Sequence, residues 1–271
     1  MSASPCSWDA PDGERRCLVA IVHNGPVVFT DTARSLMELG FGNRVAIAKE
    51  KHGFAEIAIA WFTQFPRVDA MRDSALEQAM ADGFTHVLFL DADMVWPSDV
   101  LERMLRHHAE GIVGGLYLLK GPPYSPVALA EVVQTDGDVQ HYAYQSDYGD
   151  ELIDVNILGM GCTLIPVEAA RRIGKRPYFE YQDDNEGWPR VSEDVPFCRK
   201  AKAAGIPIKF DPTVKCGHIT TTVIDERYHR RYQASMRAAE GAPVHVQATE
   251  LEVGVDVVGA ALTEAIEGAP V

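Results

Sequence analysis

Two carboxylates at the end of a largely apolar run are the residues of this chain best suited to chemistry. Asp91 and Asp93 are spaced one apart and directly follow the run His86–Leu90. Such a run predicts a strand buried on both faces, and alternation along an extended chain places both carboxylates on one side, just past its carboxyl end. Open α/β sheets bind ligands at that edge. Two oxygen ligands there favour a divalent cation that holds a diphosphate, and a solvated turn is the alternative.

A second acidic pair, Glu193 and Asp194, follows Ser192, which is a good N-cap for a helix. The helix dipole favours acids in a first turn, so a purely structural role is one interpretation. The other is that one of the two carboxylates faces the ligand cleft as a general base. The nearby Trp188 offers a stacking surface for an acceptor.

His218 follows a predicted strand and is preceded by Gly217. Imidazole binds manganese as well as zinc, so this residue is a candidate third ligand of an Asp/Asp/His site. A lone histidine is more often an ordinary surface or core residue. Spacing along the chain does not show whether His218 reaches Asp93.

The elements that must position these residues alternate between strand and helix, which predicts a doubly wound α/β sheet. In the first half the predicted strands are Cys17–Val22, Arg44–Ala48, the run into Asp91, and Gly111–Tyr117; the predicted helices are Thr30–Leu39, Val68–Asp82 and one that begins near Val100. From about residue 126 the pattern suits antiparallel strands, at Val127–Val133 and Val139–Tyr144. The core is completed by a strand at Gly159–Ile165, helices at Val167–Ile173 and Glu193–Ala204, and a strand at Ile206–Phe210. The polar segment Phe179–Arg190 predicts a mobile loop.

Composition sets the expected organisation of the 271 residues: a leader at 1–15, one domain at 16–239 and an acidic tail at 240–271. The tail has a possible strand at Val244–Val246 and a helix at Ala260–Glu267, and is either an oligomer contact or without fixed structure. Hydrophobic residues make up 46%, yet no apolar stretch approaches the roughly 20 residues of a membrane helix. The first 16 residues are polar, which favours the cytoplasm. Five cysteines without a Cys-x-x-Cys pair indicate free thiols.

The formal charge of −14 argues against a broad nucleic-acid surface. Part of it lies in six acids of the C-terminal segment: Glu240, Glu250, Glu252, Asp256, Glu264 and Glu267. The rest of the chain still has 33 acidic residues and 25 basic ones. A local basic face is conceivable at Arg227, Arg230 and Arg231, although a solvated helix face explains it equally well.

Five segments occur in an order that resembles nucleotide-sugar-dependent glycosyltransferases of the GT-A fold. They are Phe89–Met94, Ile112–Tyr117, Gly159–Cys162, Ser192–Cys198 and Gly217-His218. The resemblance covers about Cys17 to Thr221 and is closest to small bacterial and phage-type members related to the large inverting family. It implies a GT-A type α/β fold, a Rossmann-like doubly wound mixed sheet with a small antiparallel portion. For a phage-encoded chain the expected location is the host cytoplasm.

The resemblance also implies roles for individual residues. Asp91, Ala92 and Asp93 fall on the Asp-x-Asp motif, with Asp93 expected to contact Mn²⁺ or Mg²⁺ directly and His218 on the C-terminal metal ligand. Asp194, beside Glu193, falls on the catalytic base. The loop of His23, Asn24 and Gly25 occupies the place that cradles the nucleoside, and Gly114 lies in a donor-site segment. Arg72 resembles the arginine of an Arg-Asn pair that touches the nucleotide, although Asp73 here replaces the asparagine.

The function expected from these residues is metal-dependent transfer of a sugar from a nucleotide-sugar donor to an acceptor hydroxyl. The resemblance alone implies that the transfer inverts the anomeric centre. A UDP-sugar is favoured as donor by family habit, and a saccharide, a protein side chain and a hydroxymethylated DNA base all stay open as acceptors. Two alternatives remain. A nucleotidyltransferase would need a Gly-rich basic phosphate loop, which the segment starting at His23 is not. A non-catalytic sugar- or cation-binding module would not need Asp194.

Overall fold

The computed structural model describes residues 8, 14–25, 28–41, 43–63, 65, 67–132, 141–144, 148–183, 189–220 and 223–240. Trp188 and the strand and helix expected in the acidic tail lie outside these residues. Within the described part of the chain, none of the helices has both the length and the apolar composition needed to cross a bilayer.

The first half of the chain alternates strands and helices, as expected. Its elements are β1 (Arg15–Val22), α1 (Thr30–Phe41), α2 (Arg44–His52), β2 (Phe54–Phe62), α3 (Val68–Ala81), β3 (His86–Asp91), β4 (Met94–Val95), α4 (Val100–Leu105) and β5 (Ile112–Leu116). The helix predicted over 68–82 and the strand that runs into Asp91 are therefore present at the expected positions.

The described residues of the second half form mostly shorter strands and three helices. Its elements are β6 (Ala128–Val132), β7 (His141–Tyr144), β8 (Ile153–Asp154), β9 (Ile157–Leu158), β10 (Cys162–Pro166), α5 (Val167–Ile173), β11 (Gln182–Asp183), β12 (Pro189–Val191), α6 (Asp194–Ala203), β13 (Ile208–Lys215), β14 (Gly217–Ile219), β15 (Val223–Ile224) and α7 (Glu226–Glu240). The antiparallel pair predicted after residue 126 is confirmed, because β6 pairs antiparallel with β7.

The main sheet has seven strands in the order β2-β1-β3-β10-β5-β13-β8. β2, β1 and β3 are mutually parallel, as are β5 and β13, while β10 runs antiparallel between β3 and β5. The described residues also form three small antiparallel sheets, β15-β14-β4, β7-β6-β9 and the two-stranded β11-β12. The predicted fold class, a mixed α/β sheet with a small antiparallel portion, is confirmed.

Both faces of the sheet are covered, which is why its central strands are continuous apolar runs. Along β1 the side chains alternate between two hydrophobic clusters. Val19 and Ile21 pack in the cluster that contains Leu39 of α1, and Ala20 packs in the cluster that contains Met71 of α3. All five residues are at most 1% exposed. The sheet is therefore doubly wound, and its carboxyl edge is held between two packed layers.

The prediction of a strand at Arg44–Ala48 is wrong, because these residues form the first half of α2. A short apolar run fits strand and buried helix equally well, and the flanking residues decide. Asn43 and Gly53 adopt left-handed conformations at the two ends, and the basic residues of the last turn suit the helix dipole. The strand that does pair with β1 is β2, which the sequence interpretation missed.

The prediction of a mobile loop at Phe179–Arg190 is wrong for its described ends. Phe179 is 1% exposed and stacks on Phe197 of α6 with ring centroids 4.2 Å apart. β11 and β12 then pair antiparallel. Aromatic packing and strand pairing therefore fix both ends of this acidic segment, whose residues 184–188 lie outside the description.

Candidate active site

The Asp-x-Asp turn lies at the carboxyl edge of the central strands. Asp91 ends β3 and is in register with Val22 at the end of β1. The amide of Ala92 donates to the carbonyl of Val22 at 2.9 Å, and the amide of Asp91 donates to the carbonyl of Gly161 at 3.0 Å. The turn is therefore fixed from both sides, next to the His23 loop.

Thr32 of α1 also holds this turn, a role that the sequence interpretation missed. Its hydroxyl lies 3.0 Å from the carbonyl oxygen of Ala92 and 2.9 Å from that of Met94. Thr32 is fully buried. Because the two acceptors are backbone atoms 60 and 62 residues away in sequence, only the packing of α1 against the turn reveals the contact.

Arg72 of α3 connects the two acidic motifs. Its Nη1 and Nη2 each donate to an oxygen of Asp91 at 2.9 Å, and its Nε donates to Oε1 of Glu193 at 3.1 Å. Burial lowers the pKa of Arg72, but the charges of Asp91 and Glu193 outweigh that effect and raise it above its ordinary value. The guanidinium thus stays charged, and breaking a buried pair of this kind costs about 3–5 kcal/mol.

Asp194 lies in the first turn of α6, beside this network. Burial and the neighbouring charge of Glu193 raise the pKa of Asp194 to about 7, although the hydroxyl of Ser192 and the charge of Arg72 act in the opposite direction. The same hydroxyl donates to Glu193 at 2.9 Å and also contacts Asp194. A carboxylate with a pKa near 7 accepts a proton efficiently at neutral pH.

Asp93 points to a different set of partners from Asp91. Its Oδ2 lies 2.6 Å from Nζ of Lys120 and 3.6 Å from Nε2 of His218. Burial raises the pKa of Asp93, but hydrogen bonding to His218 and Lys120 and the positive charge of Lys120 outweigh burial and hold it below its usual range. Sequence spacing left the approach of His218 to Asp93 open, and the structure brings the two together. Lys120 was not predicted.

Backbone pairing explains how His218 reaches this position. β14 pairs with β4, so that His218 is in register with Met94, and the amide of Ile219 donates to the carbonyl of Asp93 at 2.7 Å. Nδ1 of His218 lies 2.7 Å from the carbonyl oxygen of Leu118, which is only an acceptor. In the neutral ring Nδ1 therefore carries the hydrogen, and Nε2 is the nitrogen that can bind a metal.

Asp93 and His218 fit a divalent cation as a pair. Their facing atoms, 3.6 Å apart, are both within reach of one ion with bonds of about 2.0–2.2 Å. Among the described residues no group of three or more His, Cys, Asp or Glu side chains is arranged to hold a metal, since Asp91 faces Arg72. Mg²⁺ is commonly bound by one or two protein ligands together with waters and substrate phosphates. The donor set agrees with that mode of binding.

The two glycines of Gly159-Met160-Gly161 accommodate Tyr117. A Cβ at Gly159 would lie 1.9 Å from the hydroxyl oxygen of Tyr117. That oxygen accepts a hydrogen bond from the amide of Gly161 at 3.1 Å. The edge of the Tyr117 ring packs against His218, with centroids 5.5 Å apart. The two glycines therefore leave room for Tyr117, whose ring in turn packs against His218.

The remaining predicted donor residues have less specific environments. A Cβ at Gly114 would meet Leu158 at 3.0 Å, so packing within the sheet accounts for this glycine. Asn24 and Gly25 are exposed, and the His23 ring contacts Trp61 edge-on, with centroids 6.1 Å apart. Their roles as donor-binding residues stay predictions, as does the acceptor role of Trp188.

Asp73, which replaces the expected asparagine, has a structural role. Its Oδ1 accepts hydrogen bonds from the amides of Tyr178 and Phe179 at 3.0 and 2.9 Å, and Arg176 donates to its Oδ2 at 3.3 Å. Burial raises the pKa of Asp73. This carboxylate fixes the start of the acidic segment next to α6, so the departure from the family pattern leaves Arg72 in place.

A cavity of about 670 Å³ lies against the small sheet β15-β14-β4 and not at the carboxylates of Asp91, Glu193 and Asp194. Val95 and Gly217, a cross-strand pair, are among its lining residues, together with Arg34 of α1 and Arg231 of α7. His218 and Met94, the next pair along, have side chains on the opposite face, because side chains alternate along a strand. The cavity is therefore separated from Asp93 by the sheet.

No known protein family matches the sequence, and no curated protein matches it. Many solved structures match it, three of which are as follows. The protein A197 from STIV is 20% identical, with a TM-score of 0.49 and coverage of 76% of this chain and 86% of that one. GalNAc-T7, solved with UDP, GalNAc and Mn²⁺, is 10% identical, with a TM-score of 0.49 and coverage of 95% and 55%.

The third structure is of a protein assigned as a glucose-1-phosphate thymidylyltransferase, from Bacillus anthracis. It is 9% identical, with a TM-score of 0.39 and coverage of 89% and 99%. All three TM-scores lie below 0.5, so the fold described above rests on the topology of the sheet, and the site rests on the geometry of its own residues.

Proposed function

We propose that this protein is a metal-dependent glycosyltransferase that moves a sugar from a nucleotide-sugar donor to an acceptor hydroxyl. The observation that carries the proposal is the network in which Arg72 binds both Asp91 and Glu193. It joins the Asp-x-Asp turn, where Asp93 and His218 face each other, to the helix that presents Asp194. Metal ligands and a candidate base thus share one edge of the sheet.

Asp93 and His218 would hold Mn²⁺ or Mg²⁺, whose charge stabilises a departing diphosphate when the ion is bound. Asp194 takes the proton from the acceptor hydroxyl while the hydroxyl oxygen bonds to the anomeric carbon and the bond to the diphosphate breaks. Arg72 fixes the position of Glu193, and through it the first turn of α6. In-line attack of this kind inverts the anomeric centre.

The loop of His23, Asn24 and Gly25 lies beside the Asp-x-Asp turn, where it would cradle the nucleoside, and the resemblance favours a UDP-sugar. Trp188 is proposed to stack on the acceptor.

A DNA base is the least favoured acceptor. Arg227 is paired with Asp225 at 3.0 Å, and Arg230 is paired with Glu226. A saccharide or a protein side chain is favoured instead.

Calorimetric titration of UDP, GDP and CDP, each with Mn²⁺ and with EDTA, tests the proposal. Wild-type protein is expected to bind one nucleotide only with metal. Asp93→Ala should abolish this binding, and Asp154→Ala, at an exposed position on an edge strand, is the matched control. If none of the three nucleotides binds in a metal-dependent manner, the proposed donor site is refuted.

Asp194→Asn separates a transferase from a binding module. The amide cannot accept the acceptor proton, so transfer should fall by about 10²–10⁴-fold while nucleotide binding is kept. Release of free sugar and transfer to an acceptor mixture are measured with a radiolabelled donor sugar. Undiminished transfer by this variant would remove Asp194 as the base.

A further inference from the structure

Lys120 makes a short contact with the carboxylate that is proposed to bind the metal. Its Nζ lies 2.6 Å from Oδ2 of Asp93, the same oxygen that faces His218. The Lys120 side chain is 44% exposed and that of Asp93 is 32% exposed. The ammonium group therefore binds the metal-binding oxygen from the solvent side, on a flexible side chain that is able to swing away.

The backbone that carries Lys120 is held in place. Leu118 and Pro126 form a β-bridge, and the amide of Leu119 donates to the carbonyl of Ser125 at 3.0 Å. Further along the loop, Tyr124 packs edge-on against Tyr228 of α7, with centroids 5.1 Å apart. The backbone of Lys120 is thus fixed beside Asp93, and only the side chain has to move for the ammonium group to leave Asp93.

An ammonium ion and a divalent cation compete for one carboxylate oxygen, because each would lie within a few ångströms of the other and like charges repel. We propose that Lys120 occupies Asp93 in the metal-free protein, is displaced by the cation and then binds the diphosphate oxygens of the donor. This inference rests on the proposed function. A lysine is well suited to it, as a mobile point charge that binds phosphate.

The first test measures Mn²⁺ alone, from the electron paramagnetic resonance signal of the free ion, without nucleotide. Lys120→Met is expected to bind Mn²⁺ about tenfold more tightly than the wild type, because a competing cation is gone. Lys209→Met is the matched control, since Lys209 pairs with Glu110 elsewhere on the surface. Its Mn²⁺ affinity should equal that of the wild type.

The second test uses inorganic pyrophosphate as a probe in the presence of saturating Mn²⁺. Here Lys120→Met is expected to bind about tenfold more weakly, while Lys120→Arg keeps most of the affinity. The two effects have opposite signs, which a general loss of folding cannot produce. Circular dichroism melting confirms that the variants are folded.

The outcomes distinguish this inference from the proposed function. Equal Mn²⁺ affinity of the wild type and Lys120→Met, with pyrophosphate binding unchanged, would refute the role of Lys120 and leave the metal site standing. If neither the wild type nor Lys120→Met binds Mn²⁺, the proposed metal site is wrong, and the proposed competition for it is wrong as well. Weaker binding of both Mn²⁺ and pyrophosphate would show that Lys120 only supports the loop.

Discussion

At the scale of single residues, one guanidinium serves two acidic motifs that are about a hundred residues apart in sequence. Arg72 is almost fully buried and uses three nitrogen atoms to bind Asp91 and Glu193. A lysine, with a single nitrogen, could not serve both carboxylates in this geometry. Asp91 is thereby an organising residue, while Asp93 remains accessible to a cation.

The pKa of Asp194 predicts the pH dependence of transfer. Since the base must be unprotonated, kcat/KM should rise about tenfold per pH unit up to about pH 7 and then level off. Initial rates between pH 5.5 and 9 measure this pH dependence, and a flat profile would contradict a catalytic carboxylate. Asp194→Asn should lack this rise in its residual activity.

The same shift has a consequence of opposite sign for stability. Because the folded protein holds the Asp194 proton more tightly than the unfolded chain, this group stabilises the fold at low pH. That contribution is lost as the pH rises from about 4 to about 7. The asparagine of Asp194→Asn does not ionise. The free energy of unfolding in urea, taken as variant minus wild type, should therefore be larger at pH 8 than at pH 5.

How far the site was predictable depends on the kind of contact. Asp91, Asp93 and His218 stand out because ionisable residues follow an apolar run or a glycine, and Asp194 stands out as part of an acidic pair at a predicted helix start. The contacts of Thr32 and Lys120 were not predictable, since a threonine in a helix and a lysine in a loop are ordinary in sequence. Their roles arise only when α1 and the loop after β5 pack against the Asp-x-Asp turn.

At the scale of elements, the connection between β9 and β10 limits which residues fit behind His218. Gly159→Ala would place a Cβ 1.9 Å from the Tyr117 hydroxyl and 2.5 Å from Val127. We expect a loss of about 1–3 kcal/mol in the free energy of unfolding, because overpacking shifts neighbouring groups. Thermal and urea unfolding measure the loss.

Gly149→Ala is the control for this prediction, because a Cβ there meets nothing within 4 Å. The double variant Gly159→Ala/Tyr117→Phe removes the nearest atom and should recover part of the loss. Equal stability of the two single alanine variants would contradict the packing argument. A shifted Tyr117 should also weaken Mn²⁺ binding, since its ring contacts His218.

The elements themselves were predictable where a long periodic pattern occurs, as in α3, and where an apolar run is bounded by glycines. The error at Arg44–Ala48 arose because five residues cannot distinguish a strand from a helix turn. β2 was missed although its sequence is largely apolar; it is an edge strand on which Ile59 and Trp61 are exposed. Tertiary pairing with β1 decides its conformation.

At the scale of the whole molecule, the charge of −14 predicts weak binding to DNA. We expect a dissociation constant above about 10⁻⁴ M for a labelled 20-base-pair duplex at physiological salt, measured by fluorescence anisotropy. Asp225→Asn/Glu226→Gln frees Arg227 and Arg230 and should tighten binding. Micromolar binding by the wild type would instead restore a nucleic-acid acceptor.

The residues of the candidate site come from α3, the β3–β4 turn, the loop after β5, the start of α6 and finally β14. During synthesis on the ribosome, Arg72 and Asp91 emerge long before His218, so the candidate site cannot form until most of the chain is available. A nascent or truncated chain that ends before β14 lacks His218 and is expected to bind neither the proposed metal nor the proposed donor. In the complete fold, a ligand bound at this site would stabilise every element that contributes to it.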